Sequence, residues 1–136
     1  MNTKPSLDHA DVTAILEAAR AEALKNNWAV SIAICDDGGH LLGFWRLDGA
    51  PPISAHIAPG KARTAALGRR ESKVYEDIIN NGRVSFLSAP DLNAMLEGGV
   101  PIVVNGQVAG AVGVSGVKST EDAQIARAGI SAVVKP

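Results

Sequence analysis

The residues of this chain that could do chemistry are concentrated in one stretch, DGAPPISAHIAPGKARTAA, which spans positions 48–66. It places His56 shortly before Lys61, Arg63 and Thr64. An imidazole can act as a general base near neutral pH, and lysine and arginine side chains bind carboxylate or phosphate groups. The stretch therefore predicts a site for a small ligand that carries an anionic group.

The position of Pro59 predicts where the helix in this stretch begins. A proline costs nothing at the first helical position but disrupts a helix interior, so the helix is expected to start near Pro59 and to end at about Gly68. This start puts Lys61 and Arg63 near the positive end of the helix dipole, where cations are unfavourable unless a ligand compensates. The alternative is an ordinary solvated helix face with His56 in a hydrogen-bonded loop, and on chemistry alone that interpretation is favoured.

A second histidine, His9, lies in the first turn of the first predicted helix. Exposed N–H groups at a helix start disfavour an imidazolium and so favour the neutral ring that can bind a metal. A solvated residue at the helix start is the alternative, and the sequence alone favours it. Met95 could also bind a metal, although packing within a loop explains it better.

Composition excludes several classes of protein. The chain has 136 residues, a mass of 14.0 kDa, 46% hydrophobic and 20% charged residues and a net charge of −1, which is ordinary for a single globular domain spanning 1–136. A chain without a basic field has no general attraction to nucleic acid or to an acidic membrane surface. Neither nucleic acid nor a membrane is therefore expected as a partner.

The cysteine content and the N-terminus bear on location. Cys35 is the only cysteine, which excludes an intrachain disulfide framework and a multi-cysteine metal site. The segment MNTKPSLDHAD lacks the apolar core of a secretory signal, and no apolar run approaches the roughly 20 residues of a membrane span. A cytoplasmic protein is expected.

Two hairpins are predicted from turn chemistry. Residues 29–35 and 40–47 alternate in the manner of strands, and Asp-Asp-Gly-Gly at 36–39 supplies the tight turn between them. In the second hairpin, Asn105-Gly106 joins VPIVV to QVAGAVGV. The small residues of the last strand leave one face open to close packing by a helix or a ligand.

Helices are predicted around these hairpins. The first follows Ser6 as its N-cap and ends near 26–27, and another runs over 71–80. The segment 83–97 is expected to be a loop that can include one helical turn at 91–95, and the last helix starts at Ser119 or Thr120 and continues through Val133. Helices separated by antiparallel hairpins predict an α+β fold in which helices cover the sheet.

The motifs together resemble the GlcG/HbpS family, which includes the C-terminal domain of PduO-type corrinoid adenosyltransferases. The resemblance rests on IAICDDGGHLLGFWRLDGA, KARTAA, GGVPIVVNGQVAGAVGVSG and EDAQIARAG, which cover most of the chain in the family's order. It implies a profilin-like fold with a five-stranded antiparallel sheet flanked by helices, assembled as a homo-oligomer, either a dimer or larger. It also implies haem binding, which several family members show.

The family pattern implies which positions form the pocket. They include Asp48, Lys61, Thr64, Gly113 and Ser115. The ligand is then expected between the segment 48–66 and the GVSG end of the last hairpin strand, in contact with His56, Lys61 and Arg63.

Two functions remain open at this point. The first is a non-enzymatic binder of haem or a related tetrapyrrole, with His9 or His56 as the axial ligand and Lys61, Arg63 or Arg46 near the propionates. The second is a small-molecule enzyme of a catabolic pathway, in which His56 is the general base for a carboxylate-bearing substrate. An accessory assembly protein is a third possibility.

Overall fold

The computed structural model describes residues 1–135, so the predicted domain boundary at 136 lies one residue outside the described part. The helices and strands follow one another in this order: α1 (His9–Lys25), β1 (Ser31–Asp36), β2 (Leu41–Arg46), α2 (Ser54–Gly68), α3 (Ser72–Asn80), β3 (Gly99–Val104), β4 (Gln107–Ser115) and α4 (Ser119–Ile130). A short 3-10 helix, Val84–Ser88, lies between α3 and β3. Within 1–135, no helix is both long enough and apolar enough to cross a membrane.

The strands form one antiparallel sheet in the order β2-β1-β4-β3. Both predicted hairpins are present, β1 with β2 and β3 with β4. The second turn has Asn105 and Gly106 at positive φ, 51° and 77°, which are the backbone angles that this pair of residues adopts readily. The α+β architecture with an antiparallel sheet is confirmed.

Two apolar layers cover the two sides of the sheet, one built mainly from large aliphatic side chains and the other mainly from alanines. Because side chains alternate along a strand, Ile32 and Ile34 of β1 face one side, and Ala33 and Cys35 face the other. The isoleucine side packs against α1 and α4 in a large aliphatic cluster. The alanine side packs against α2, whose contacting residues are themselves alanines. Small residues on both partners bring α2 unusually near the strands.

The number of strands differs from the expectation drawn from the family resemblance. That expectation was five, whereas the sheet within residues 1–135 has four strands. The stretch between α3 and β3 contains no alternating apolar pattern and includes Pro90, and it forms the 3-10 helix and irregular turns instead. Since no further strand pairs with β2 or β3, both are edge strands of the described sheet.

Two of the predicted helix starts, those of α1 and α2, need correction. α1 begins after Asp8 and not after Ser6, because Asp8 and Asp11 form a reciprocal capping box that satisfies two N–H groups. α2 begins at Ser54, and Pro59 lies inside it. At the sixth helical residue, a proline removes only one backbone hydrogen bond, close to the helix start. Consequently Lys61 and Arg63 are not at the positive end of the dipole.

Two other segments test local expectations. The segment 91–95 is irregular, as expected of a loop, and the single helical turn does not form; Asp91 and Ala94 have positive φ. The last helix ends at Ile130 and so does not continue helically through Val133. Val133 packs against the aliphatic cluster from a turn that follows the helix.

Candidate functional site

An open groove runs between α1 and the edge strand β2. His9, Val12, Leu16 and Arg20 line it from α1. Their spacing of three, four and four residues puts them on one face of an α-helix. The groove therefore has a histidine near the start of α1, an arginine three turns later and aliphatic side chains between them.

The part of the groove around His9, here called the His9 compartment, has a volume of about 550 Å³. This volume lies within the usual range for small-molecule sites, roughly 300 to 1,000 Å³. Its walls are mainly apolar and include Leu7, Val12, Leu16, Leu42 and Trp45. Leu42 is 43% exposed, so apolar surface is available to a ligand that enters here.

Gly43 of β2 lets α1 come close to the strand at this point. A Cβ atom on Gly43 would lie 2.6 Å from Val12 Cγ1 and 3.2 Å from Leu16 Cδ1. Such a contact is too short for carbon atoms, so a larger residue would push α1 away from β2. The width of the groove thus depends on a glycine in the strand.

His9 is exposed and is the first residue of α1. Within the described part of the chain, no hydrogen bond engages its ring. The neighbouring Asp8 carboxylate accepts a hydrogen bond from Asp11 N, 2.8 Å away; this bond is the main reason why the pKa of Asp8 lies below its ordinary value. Because Asp8 is committed to the helix cap, the imidazole is left to interact with a ligand.

The other part of the groove, here called the arginine compartment, has a volume of about 570 Å³. It shares Phe44 and Trp45 with the His9 compartment, so the two adjoin. Arg20 lies over the Trp45 ring, with its guanidinium carbon 5.8 Å from the ring centroid. Arg46 donates two hydrogen bonds to the Ala50 carbonyl, from Nη2 at 3.0 Å and from Nε at 3.3 Å.

The histidine and arginine of the predicted site, His56 and Arg63, line a second, smaller cleft of about 170 Å³. Arg63 Nε donates to the Asp91 carbonyl at 3.0 Å, and Nη1 donates to the Gly39 carbonyl at 3.3 Å. The structure thus brings two of the predicted residues together. The two hydrogen bonds of Arg63 join α2 to two loops, and within the described residues its other N–H groups stay available to a ligand.

Cys35 also lines this cleft but is only 2% exposed. Burial raises the pKa of its thiol to about 12. Because the thiolate is the reactive form of cysteine, Cys35 is not suited to act as a nucleophile. The chemistry available in the small cleft is therefore that of an imidazole and a guanidinium.

Lys61 is placed away from the cleft, in the interior of the protein. Its side chain is 3% exposed. Nζ donates to the Val114 carbonyl at 2.9 Å and to Asp122 Oδ2 at 3.1 Å. The predicted partner was an anionic ligand, whereas the structure provides Asp122 as the anion.

The remaining predicted residues do not meet in one cavity. Thr64 is buried and donates to the Asn93 carbonyl at 2.9 Å. Gly113 lies under α2, where an added Cβ would overlap Ala58 O and Ala62 N, and Ser115 is a buried residue of β4 paired with β1. Asp48 is exposed and lines the arginine compartment.

Sequence reasoning named His9, which lines this groove, but it did not name Arg20 or Trp45, which also line it. The available signal was an interruption of helical amphipathicity, since Arg20 continues the row of His9, Val12 and Leu16. Met95, the other candidate ligand, is buried beside α3 on a different surface. Among residues 1–135, no cluster of three or more His, Cys, Asp or Glu side chains could hold a metal ion.

Comparison with known proteins gives the family. Residues 7–131 match the model of the family described as haem degrading protein HbpS-like. Protein GlcG of Escherichia coli (strain K12) is 59% identical over 115 residues, which are 85% of this chain and 85% of GlcG.

Solved structures show the same fold in more distant relatives. The haem complex of PduOC is 26% identical, with a TM-score of 0.85 over 95% of this chain and 96% of that one. A double mutant of HbpS from Streptomyces reticuli is 28% identical, with a TM-score of 0.88 over 98% of this chain and 91% of that one. Since the family model spans nearly the whole sequence and GlcG is similar over most of both chains, this protein belongs to the GlcG/HbpS family.

Proposed function

We propose that this protein binds haem or a related tetrapyrrole in the His9 compartment, with His9 as the axial ligand. The observation that carries the proposal is the presence of an exposed imidazole at one end of an apolar groove of about 550 Å³. Haem needs an axial nitrogen or sulfur ligand and an apolar face for the macrocycle. Relatives whose names refer to haem support the choice of ligand.

The residues present fit such a group. The His9 ring is free of protein hydrogen bonds within residues 1–135, and Leu7, Leu42 and Trp45 provide apolar surface beside it. The small cleft at His56 has a volume of only about 170 Å³, below the usual range for a drug-sized ligand. His9 is therefore a better axial ligand than His56. When bound, haem would supply an iron centre, and the protein would hold it and limit the access of water.

The test is a titration of purified protein with haemin, followed by absorption spectroscopy. We expect a shifted Soret band at stoichiometric haemin that is lost or strongly changed in His9→Ala, because the axial ligand is removed. His56→Ala is the matched control and should behave like the unmodified chain. No Soret shift in the unmodified chain, or a loss confined to His56→Ala, would contradict the proposal.

A second candidate function is supported by one observation, the presence of His56 and Arg63 in the same cleft. A small carboxylate could pair with Arg63 while His56 acts as a general base. This is the enzymatic alternative, without Lys61 as a contact. Turnover of a small hydroxy or keto acid that disappears in His56→Ala, with the far-UV circular dichroism unchanged, would favour it.

We further propose that the chain acts as a homo-oligomer, a dimer or larger. Large apolar side chains that remain exposed support this, among them Val84 at 64%, Leu87 at 63% and Leu41 at 56%. Two of them belong to the 3-10 helix, and Leu41 lies on the edge strand β2. Exposed apolar side chains of this size are frequent in regions where proteins contact one another.

A further inference from the structure

We propose that the arginine compartment is a second subsite of the groove, which binds the anionic groups of the ligand whose apolar body lies beside His9. This inference rests on the proposed function, because it concerns the same groove. It adds a requirement on the ligand. The ligand must have an apolar, planar part and at least one carboxylate that reaches the end of the groove remote from His9. Neutral tetrapyrroles are then poorer ligands than acidic ones.

The two compartments are arranged for a ligand that occupies both. His9 and Arg20 are eleven residues apart on α1, so with a rise of ~1.5 Å per residue their Cα atoms lie about 16 Å apart along one helix face. Each side chain projects toward the groove that Phe44 and Trp45 line in common. An elongated or broad ligand could therefore contact the imidazole and the guanidinium at once.

The polar groups of the arginine compartment are suited to carboxylates. Arg46 is fixed by two hydrogen bonds to Ala50 O, which use Nε and Nη2; Nη1 forms no hydrogen bond among the described residues. Arg20 is exposed and is positioned by the Trp45 ring at 5.8 Å. A guanidinium held by the protein loses less freedom when it binds a carboxylate, and its bond to that anion is charge-assisted.

One group in the compartment opposes an anion. Asp48 lines the same cavity, so two arginines face one aspartate and the balance is positive by one charge. If the compartment binds carboxylates, Asp48 weakens the interaction. The variant Asp48→Asn should then have a lower dissociation constant for an acidic ligand. Removing an arginine should raise the same constant.

The chain provides an internal probe for the experiment. Both of its tryptophans, Trp28 and Trp45, line the arginine compartment. A haem bound in the groove would quench their fluorescence, so titrations can be followed without reference to catalysis. The ligands to compare are haemin, which has two free propionates, and haemin dimethyl ester, in which both are esterified.

We expect Arg20→Gln and Arg46→Gln each to raise the dissociation constant for haemin about tenfold, the scale of one charge-assisted hydrogen bond. Binding of the dimethyl ester should be unchanged in both variants. Arg83→Gln is the matched control, since Arg83 is also an exposed arginine over an aromatic ring, Phe86, at 5.5 Å. It should leave both dissociation constants unchanged.

The outcomes separate this inference from the proposed function. If neither haemin nor its ester binds the unmodified chain, the proposed function fails. If haemin binds with an axial signature that depends on His9, but both arginine variants bind it as tightly as the unmodified chain, the inference alone is overturned. Equal losses for haemin and the ester would also overturn it, because they would indicate a structural role for the arginines and not recognition of an anion.

Discussion

At the scale of single residues, the strongest constraint is the ion pair between Lys61 and Asp122. Both side chains are 3% exposed, and Nζ lies 3.1 Å from Oδ2. Asp122 also accepts a hydrogen bond from Val117 N at 3.2 Å, and Lys61 donates to Val114 O. Each charged group thus has more than one polar partner, which a buried ion needs.

We expect Lys61→Met to lower the free energy of unfolding by about 3 to 5 kcal/mol, because it leaves a buried carboxylate without its cation. The double variant Lys61→Met with Asp122→Asn should recover much of this loss, since neither buried charge remains. Denaturant unfolding measures both. Lys73→Met, which removes the exposed pair with Asp77, is the control and should have little effect. A loss in the double variant as large as in Lys61→Met would contradict the explanation.

The pH dependence of Lys61→Met follows from Asp122. Burial raises the pKa of Asp122, and attraction to Lys61 partly offsets that rise. Removing Lys61 should raise this folded-state pKa further above the value of the unfolded chain, which is about 4. The penalty is then absent below the unfolded pKa and grows as pH rises through the folded pKa. The deficit in stability should therefore be smallest at acidic pH.

The identity of Lys61 alone could not predict that Asp122 is its partner. Lys61 in KARTA looks solvated or ligand-binding because lysine is rarely buried. Its burial depends on the contact of α2 with β4 and on the position of Asp122, 61 residues later in the chain. His9 could be named from its place at a helix start. For Arg20 the only local signal was its position in the helical row of His9, Val12 and Leu16, and that row does not show which helix face the edge strand leaves open.

At the scale of elements, the packing of α2 on the sheet depends on small residues. Gly113 of β4 lies where a Cβ would overlap the backbone of α2 at Ala58 and Ala62. The alanines of α2 and Ala33 and Ala111 of the strands complete this layer. The nearest atoms that a Cβ on Gly113 would meet belong to the backbone of α2, so no side-chain rotation relieves the overlap.

We expect Gly113→Ala to destabilise the protein by about 1 to 3 kcal/mol, the usual cost of overpacking. Thermal or denaturant unfolding measures the change. Gly38→Ala is the control, because a Cβ there would meet the end of the His40 side chain at 3.0 Å, and that side chain is exposed and can move. An equal loss in the two variants would contradict the contact with α2 as the cause.

The elements differ in how far the sequence predicts them. The hairpins at 36–39 and 105–106 were predicted correctly because their turn chemistry is local. The start of α2 was not, because Pro59 was expected to mark a helix boundary, and the structure tolerates it one turn inside. The turn at 36–39 is further stabilised by its first residue. The Asp36 carboxylate accepts hydrogen bonds from Gly38 N and His40 N, both at 2.9 Å.

At the scale of the whole molecule, the helical layers enclose the two faces of the sheet but leave both edge strands open. α1 and α4 cover one face, and α2 covers the other. The Lys61–Asp122 pair joins α2 to α4 and so links the two layers. Several exposed apolar residues lie outside this framework, among them Leu41 and Leu42 on β2 and Val84 and Leu87 on the segment that follows α3.

We expect the protein to sediment at a multiple of 14.0 kDa at micromolar concentration, since exposed edge strands and apolar side chains are favourable contact surfaces. Val84→Asp and Leu87→Asp place charges on the exposed 3-10 helix and should lower the mass if that segment is the contact. Leu24→Asp is the control and should leave the mass unchanged. Leu24 is also exposed, at 55%, but it lies on α1 in the lining of the arginine compartment, away from the 3-10 helix in the sequence. A mass near 14.0 kDa for the unmodified chain across a wide concentration range would contradict the prediction. An oligomer that persists in both 3-10 helix variants would place the contact at the sheet edges instead.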